Sequence, residues 1–166
     1  MILFEGLGLC AILLIICLIG KRKGAVGLVH LYEKDVQEKT IELGLTSPER
    51  IKKNAILMKL SMLILFFPYL LICVYWINGA RGFGQGFWQM TIIILIMTVF
   101  DRVFIDFFWV DHTKAWIIPG TEELRPYVPV REHIKRWILM VVLYPPVLAA
   151  VLSGIMTLFL RPQTIL

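Results

Sequence analysis

The sequence predicts an all-α integral membrane protein: an antiparallel four-transmembrane-helix bundle with an amphipathic cytoplasmic helix between spans 1 and 2. Three observations predict this class. The 166 residues are 58% hydrophobic and only 17% charged, a composition far from that of a soluble domain. The apolar residues fall into four runs, each long enough to cross about 30 Å of hydrocarbon. The Lys and Arg residues gather in two of the three connections between those runs.

A single membrane domain, residues 1–166, accounts for the whole chain. The spans are predicted at about 2–20, 55–77, 87–110 and 134–160, joined by connections at 21–54, 78–86 and 111–133. These elements leave no room for a separate soluble domain.

The long connection after span 1 has an amphipathic pattern. Between residues 25 and 43 its apolar side chains recur at helical spacing, and charged residues occupy the other faces. We therefore expect a single amphipathic helix there. Span 2 has a clear start, because Ser47 is a good N-cap and Pro48 suits the first helical position.

The distribution of basic residues predicts the orientation. Eight Lys and Arg residues lie between residues 21 and 53, and five follow span 3, whereas the opposite side carries only Arg81 and Arg161. Because basic connections stay in the cytoplasm, both termini are expected to be extracytoplasmic and both long connections cytoplasmic. Glu5, near the outer end of span 1, is expected to reach water. The connection after span 3 is unusually apolar and is expected to fold back over the cytoplasmic mouth of the bundle.

Span 3 contains the most informative stretch of the sequence. Ionisable groups inside hydrocarbon cost a few kcal/mol each, so they usually face the bundle interior and pair with one another. At about 100° per residue, Arg102, Asp106 and Trp109 share one helix face. A second face carries Asp101, Ile105, Phe108 and His112. Lys59 of span 2 is expected at the same depth as Asp106, which predicts a charged pocket at the cytoplasmic leaflet.

This pocket suggests a function in binding a lipid headgroup or another amphiphilic anion, with turnover of that ligand left open. The predicted ligand contacts are Arg102, Lys59, Trp109, Phe108 and Tyr144. If the protein is an enzyme, Asp106 or Asp101 is the expected general base and His112 a proton carrier. No recognised metal-ligand spacing is present, so no metal site is predicted, and the sequence does not assign a cofactor.

Three alternatives remain open at this stage. The first is a proton-coupled small transporter or channel subunit that uses Asp101 and Asp106. The second is an accessory subunit of a larger membrane complex, and the third is a charge cluster that only fixes helix register. Membrane lipids are expected partners and nucleic acid is not. A homo-oligomer through the small residues Ala150 and Gly154 is also considered.

Overall fold

The computed structural model describes residues 1–125 and 137–159, and every regular element in these two stretches is helical. The predicted all-α class is therefore confirmed. The predicted limits of span 4, residues 134 and 160, lie outside the described residues, as does the last part of the connection before it.

The first helix, α1, covers Ile2–Gly20 and has the limits expected for span 1. A turn of 3₁₀ helix at Lys21–Lys23 and a longer 3₁₀ segment at Ala25–Leu31 follow it. The chain turns between these two segments at Gly24, whose φ of 77° suits glycine because it has no Cβ.

The helix expected within 25–43 does not extend over the whole stretch, because the backbone is extended at Tyr32 (φ −85°, ψ 165°) and at Glu33 (φ −63°, ψ 162°). Only Lys34–Glu42, here α2, is α-helical. The break turns the side chain of Tyr32 inward, and the Gln37 amide donates to its carbonyl oxygen over 2.8 Å. Tertiary contact at one aromatic residue thus overrides the helical pattern.

The third helix, α3, covers Pro48–Ile77. Its predicted start is confirmed: Pro48 is the first helical residue, and the hydroxyl of Ser47 accepts from the backbone N–H of Arg50 over 3.3 Å. Pro68 lies inside the helix, and the last six residues, Ile72–Ile77, form wider π-type turns. Proline has no N–H to donate, so the carbonyl oxygen of Ile64, four residues earlier, lacks its usual donor within the helix.

The fourth helix, α4, covers Gly82–Phe100 and continues as a π-type helix over Asp101–Asp111. The fifth, α5, covers Leu139–Phe159 and begins with π-type turns at Leu139–Leu143. These turns come directly before Pro145 and Pro146, which cannot donate backbone hydrogen bonds to that segment.

Three of these helices are long and apolar enough to cross a membrane: Ile2–Gly20, Pro48–Ile77 and Leu139–Phe159. Their length and composition are consistent with a membrane location.

The helices pack around α1 and α4. The helix pairs in closest contact are α4 with α5, α4 with α1, and α1 with α3. Gly6 of α1 permits the close approach to α4, since a Cβ at this position would lie 2.8 Å from Cδ1 of Ile96. The fully buried side chains between the helices are Leu9, Met90, Ile93, Ile94, Val74 and Ala149.

A second buried cluster covers one end of the bundle, and we call it the cap. It joins residues after α1, the start of α3 and residues after α4, namely Ala25, Leu28, Val29, Tyr32, Val36, Ile51, Trp116 and Ile118. The connection after α4 therefore folds back over the bundle, as its apolar composition predicts. Most of the apolar face expected for residues 25–43 is buried here, although the helix itself is broken.

Candidate functional site

A cavity of about 790 Å³ lies among the four long helices. α1 contributes Leu9, Leu13 and Cys17, three side chains spaced four residues apart, so a single stripe of this helix faces the cavity. α5 contributes Met140, Tyr144 and Leu148 with the same spacing. The volume lies within the range of about 300–1,000 Å³ that is typical of small-molecule sites.

The cavity is bounded on three sides by helix pairs in contact. α3 and α5 do not pack closely against each other along their described residues, although both line the cavity. The space between these two helices is therefore the side on which the cavity has least cover.

The charged residues of the lining lie at the end nearest the cap. They are Lys59, Asp101, Arg102 and Asp106. The guanidinium of Arg102 pairs with both carboxylates: Nη2 lies 3.3 Å from Oδ2 of Asp101, and Nη1 bonds to Oδ2 of Asp106. The ionisable groups of this stretch therefore pair with one another, as expected, and the charge-assisted contacts hold the guanidinium in a fixed orientation.

Three cationic or N–H groups of the lining have no acceptor among the described residues. Nε of Arg102 and Nε1 of Trp116 are buried without a hydrogen-bond partner in residues 1–125 and 137–159. Trp116 is itself only 2% exposed. Lys59 is exposed, and no ion pair joins it to another described side chain. The two buried N–H atoms have almost no accessible surface, so among the described lining residues the exposed Lys59 is the unpaired donor that a cavity ligand can reach.

The π-type segment of α4 determines which of its side chains reach the cavity. A π-type turn holds more residues than the 3.6 of an α-helix, so successive turns present Asp101 and Arg102, then Ile105 and Asp106, then Val110. Wide turns of this kind occur frequently at functional sites.

The cap closes the charged end of the cavity. Leu31, Tyr32 and Trp116 belong to the lining, and the ammonium of Lys21 lies 5.4 Å from the centre of the Trp116 ring. His30, also in the segment after α1, places Nε2 3.2 Å from the sulfur of Met58. Burial, and then the positive charge of Lys59, hold the pKa of His30 below its ordinary value.

The structure brings five of the eight predicted site residues together. Tyr144 lines the cavity with the four charged residues already named. Phe108, Trp109 and His112 lie outside the lining. Phe108 is 58% exposed, Trp109 packs edge-on against Trp116, and the exposed His112 donates from Nδ1 to the carbonyl oxygen of Phe107 over 2.6 Å.

Trp116 is one of the lining residues that the sequence does not identify as a site residue. Its position in an apolar connection predicts burial, but the absence of an indole partner depends on tertiary structure. Four flexible side chains of the wall are likewise visible only in the fold: Met58, Met62, Met97 and Met140.

The small residues of α5, which are Ala149, Ala150, Ser153 and Gly154, do not all contact the same part of the molecule. Ala149 and Ser153 are fully buried, and Ser153 lies against Gly86 of α4. At Gly154 a Cβ would meet no atom within 4 Å. Ala149 and Ser153 are therefore buried within this chain. The neighbouring residues Ala150 and Gly154 are the pair considered for an oligomer contact.

Comparison of this chain with family models, with curated proteins and with solved structures finds no match in any of the three.

Proposed function

We propose that this protein is a four-span membrane protein whose cavity binds the head of a lipid or another amphiphilic anion at its charged end. The observation that carries the proposal is one cavity that combines apolar walls with charged groups at one end. The exposed Lys59 supplies a cation that has no ion-pair partner among the described side chains, and Arg102 adds a guanidinium to the same end. A phosphate or carboxylate head would pair with these cations.

The apolar walls suit the other half of an amphiphile. Away from the charged end, the lining residues Met62, Phe67 and Leu148 are apolar and only half-buried, so they have accessible surface. A hydrocarbon chain that enters between α3 and α5 would contact them while its head stays near Lys59. This division into a polar and an apolar end favours an amphiphile over a fully polar solute.

Binding of the amphiphile has more support than an enzymatic reaction on it. Both carboxylates already accept from Arg102, and His112 lies outside the cavity lining. A transport path has less support as well, since the far end of the cavity meets buried apolar side chains. Docking to a larger complex through α2 also has little support, because Val36 of α2 is fully covered by its own chain.

Native mass spectrometry of the delipidated protein with phosphatidylglycerol, and with phosphatidylcholine as the neutral-headed comparison, tests the proposal. Lys59→Gln is the informative variant, because it removes the cation and preserves much of the side-chain bulk. It is expected to weaken phosphatidylglycerol binding about tenfold or more, the usual effect of losing one hydrogen bond to a charged group. Lys52→Gln, at an exposed position of the same helix, is the matched control. Equal binding by both variants, or no preference for the anionic lipid, would reject the proposed site.

The proposed topology has four spans, with both termini outside and α2 in the cytoplasm. Cysteine labelling tests it directly, since the three native cysteines are buried. Arg81→Cys is expected to react with an impermeant maleimide in intact cells, and Lys52→Cys only after permeabilisation. The opposite pattern would reverse the orientation, and labelling of both in intact cells would reject the four-span arrangement.

A further inference from the structure

We infer that the cavity takes an amphiphile with one hydrocarbon chain, rather than a lipid with two, and this inference rests on the proposed function above. At about 30 Å³ per non-hydrogen atom, the share of a water molecule in the liquid, the cavity holds about 26 such atoms, whereas a phospholipid with two long chains has about 50, so its second chain would have to lie outside the cavity, between α3 and α5. A fatty acid or a lysophospholipid is of the size that the cavity admits.

The shape of the cavity agrees with its volume. Along α3 the lining runs from Met58 to Leu70, a separation of twelve residues and a rise of about 18 Å. The charged groups are confined to the Lys59 end of this length, and the remaining wall is apolar apart from Thr98 and the hydroxyl of Tyr144. A single extended chain with an anionic head matches a long cavity that is charged at one end only.

The side chains of the wall suit an unbranched chain. Four of the seven methionines of the sequence line the cavity, two on α3, one on α4 and one on α5. Methionine is itself unbranched and adapts its three rotatable bonds to irregular or exchangeable apolar partners. A wall of this kind accommodates chains of somewhat different length without a rigid fit.

The test compares probes that share one head and differ in chain number. Delipidated protein is titrated with palmitoyl lysophosphatidic acid and with dipalmitoyl phosphatidic acid, and bound species are counted by native mass spectrometry. Palmitate, which carries a carboxylate on the same chain, shows whether the head must be a phosphate. One lysolipid molecule is expected to bind to each protein molecule. It is expected to resist displacement by an equal concentration of the two-chain lipid.

A cavity-filling variant tests whether the lysolipid binds inside the cavity. Met62→Trp adds bulk in the middle of the lining and is expected to lower lysolipid binding about tenfold or more. Leu63→Trp is the matched control: the neighbouring residue on the same helix is 53% exposed and lies outside the lining. Native-like thermal melting of both variants separates lost binding from lost folding.

The outcomes separate this inference from the function on which it rests. If the two-chain lipid displaces the lysolipid equally well and its own binding depends on Lys59, the binding function stands and the single-chain inference is overturned. If Met62→Trp binds the lysolipid as tightly as Leu63→Trp does, the hydrocarbon chain of the lysolipid does not occupy the cavity. If no probe depends on Lys59, both proposals fail.

Discussion

The hydroxyl of Tyr32 donates to the carbonyl oxygen of Trp116 over 2.7 Å. These residues are 84 positions apart, and their bond joins the segment after α1 to the segment after α4. Both side chains are at least nine-tenths buried, and both line the cavity at its charged end. The cap is therefore a hydrogen-bonded closure of the proposed binding site.

We expect Tyr32→Phe to lower the free energy of unfolding by about 1–3 kcal/mol, because the Trp116 carbonyl oxygen loses this donor in a buried environment. The measurement is thermal melting in a mild detergent. Tyr75→Phe is the matched control, since the buried Tyr75 hydroxyl has no partner among the described residues, and its loss should be neutral or stabilising. A Tyr32→Phe protein as stable as the Tyr75→Phe protein would show that the cap does not depend on this bond.

Gly8→Ala is expected to destabilise the contact between α1 and α3. A Cβ at Gly8 would overlap the hydroxyl of Tyr69, which donates to the backbone carbonyl of Glu5 over 2.9 Å. Overpacking and loss of this bond together cost about 1–3 kcal/mol. Gly154→Ala provides the comparison, because its added methyl meets open space within the chain. Equal melting temperatures for the two variants would contradict the close approach at Gly8.

The apolar runs and capping residues were sufficient to predict much of the fold. The limits of α1 and the start of α3 at Pro48 follow from an apolar run and a capping serine, both of which are local signals. The break at Tyr32 was not predictable in this way, because it depends on a partner far along the chain. Glu5 is also a correction: the expectation that it reaches water is wrong, since the side chain is 8% exposed.

Only part of the candidate site could be predicted from the sequence. The cost of burying charge predicts that Asp101, Arg102 and Asp106 meet inside the bundle, whatever the detailed helix geometry. The assignment of Phe108 and Trp109 to the pocket used a regular α-helical period. The π-type turns of Asp101–Asp111 alter that period, and both aromatic side chains lie outside the lining.

A buried polar link at the end of the bundle opposite the cap supports a further prediction. The amide of Asn78 donates to Oε2 of Glu5 over 2.9 Å and to Oε1 of Gln89 over 3.0 Å. Asn78→Ala leaves a buried carboxylate without this donor and is expected to cost about 2–3 kcal/mol. In the Glu5→Gln background the same change should cost clearly less, which a double-mutant cycle on melting data measures. Additive effects of the two changes would mean that the Asn78 and Glu5 side chains do not interact.

His30 should make the stability of the cap depend on pH. Burial and the charge of Lys59 keep the pKa of His30 below its ordinary 6.5 in the folded protein, whereas the unfolded chain takes up a proton near that ordinary value. The unfolded state therefore binds more protons in the window just below pH 6.5, and stability falls as the pH falls through that window. Melting temperatures are expected to drop less on acidification in His30→Gln than in the parent protein. His112→Gln, at an exposed histidine, should retain the parent's drop; if it removes the pH dependence and His30→Gln does not, the buried imidazole is not the group responsible.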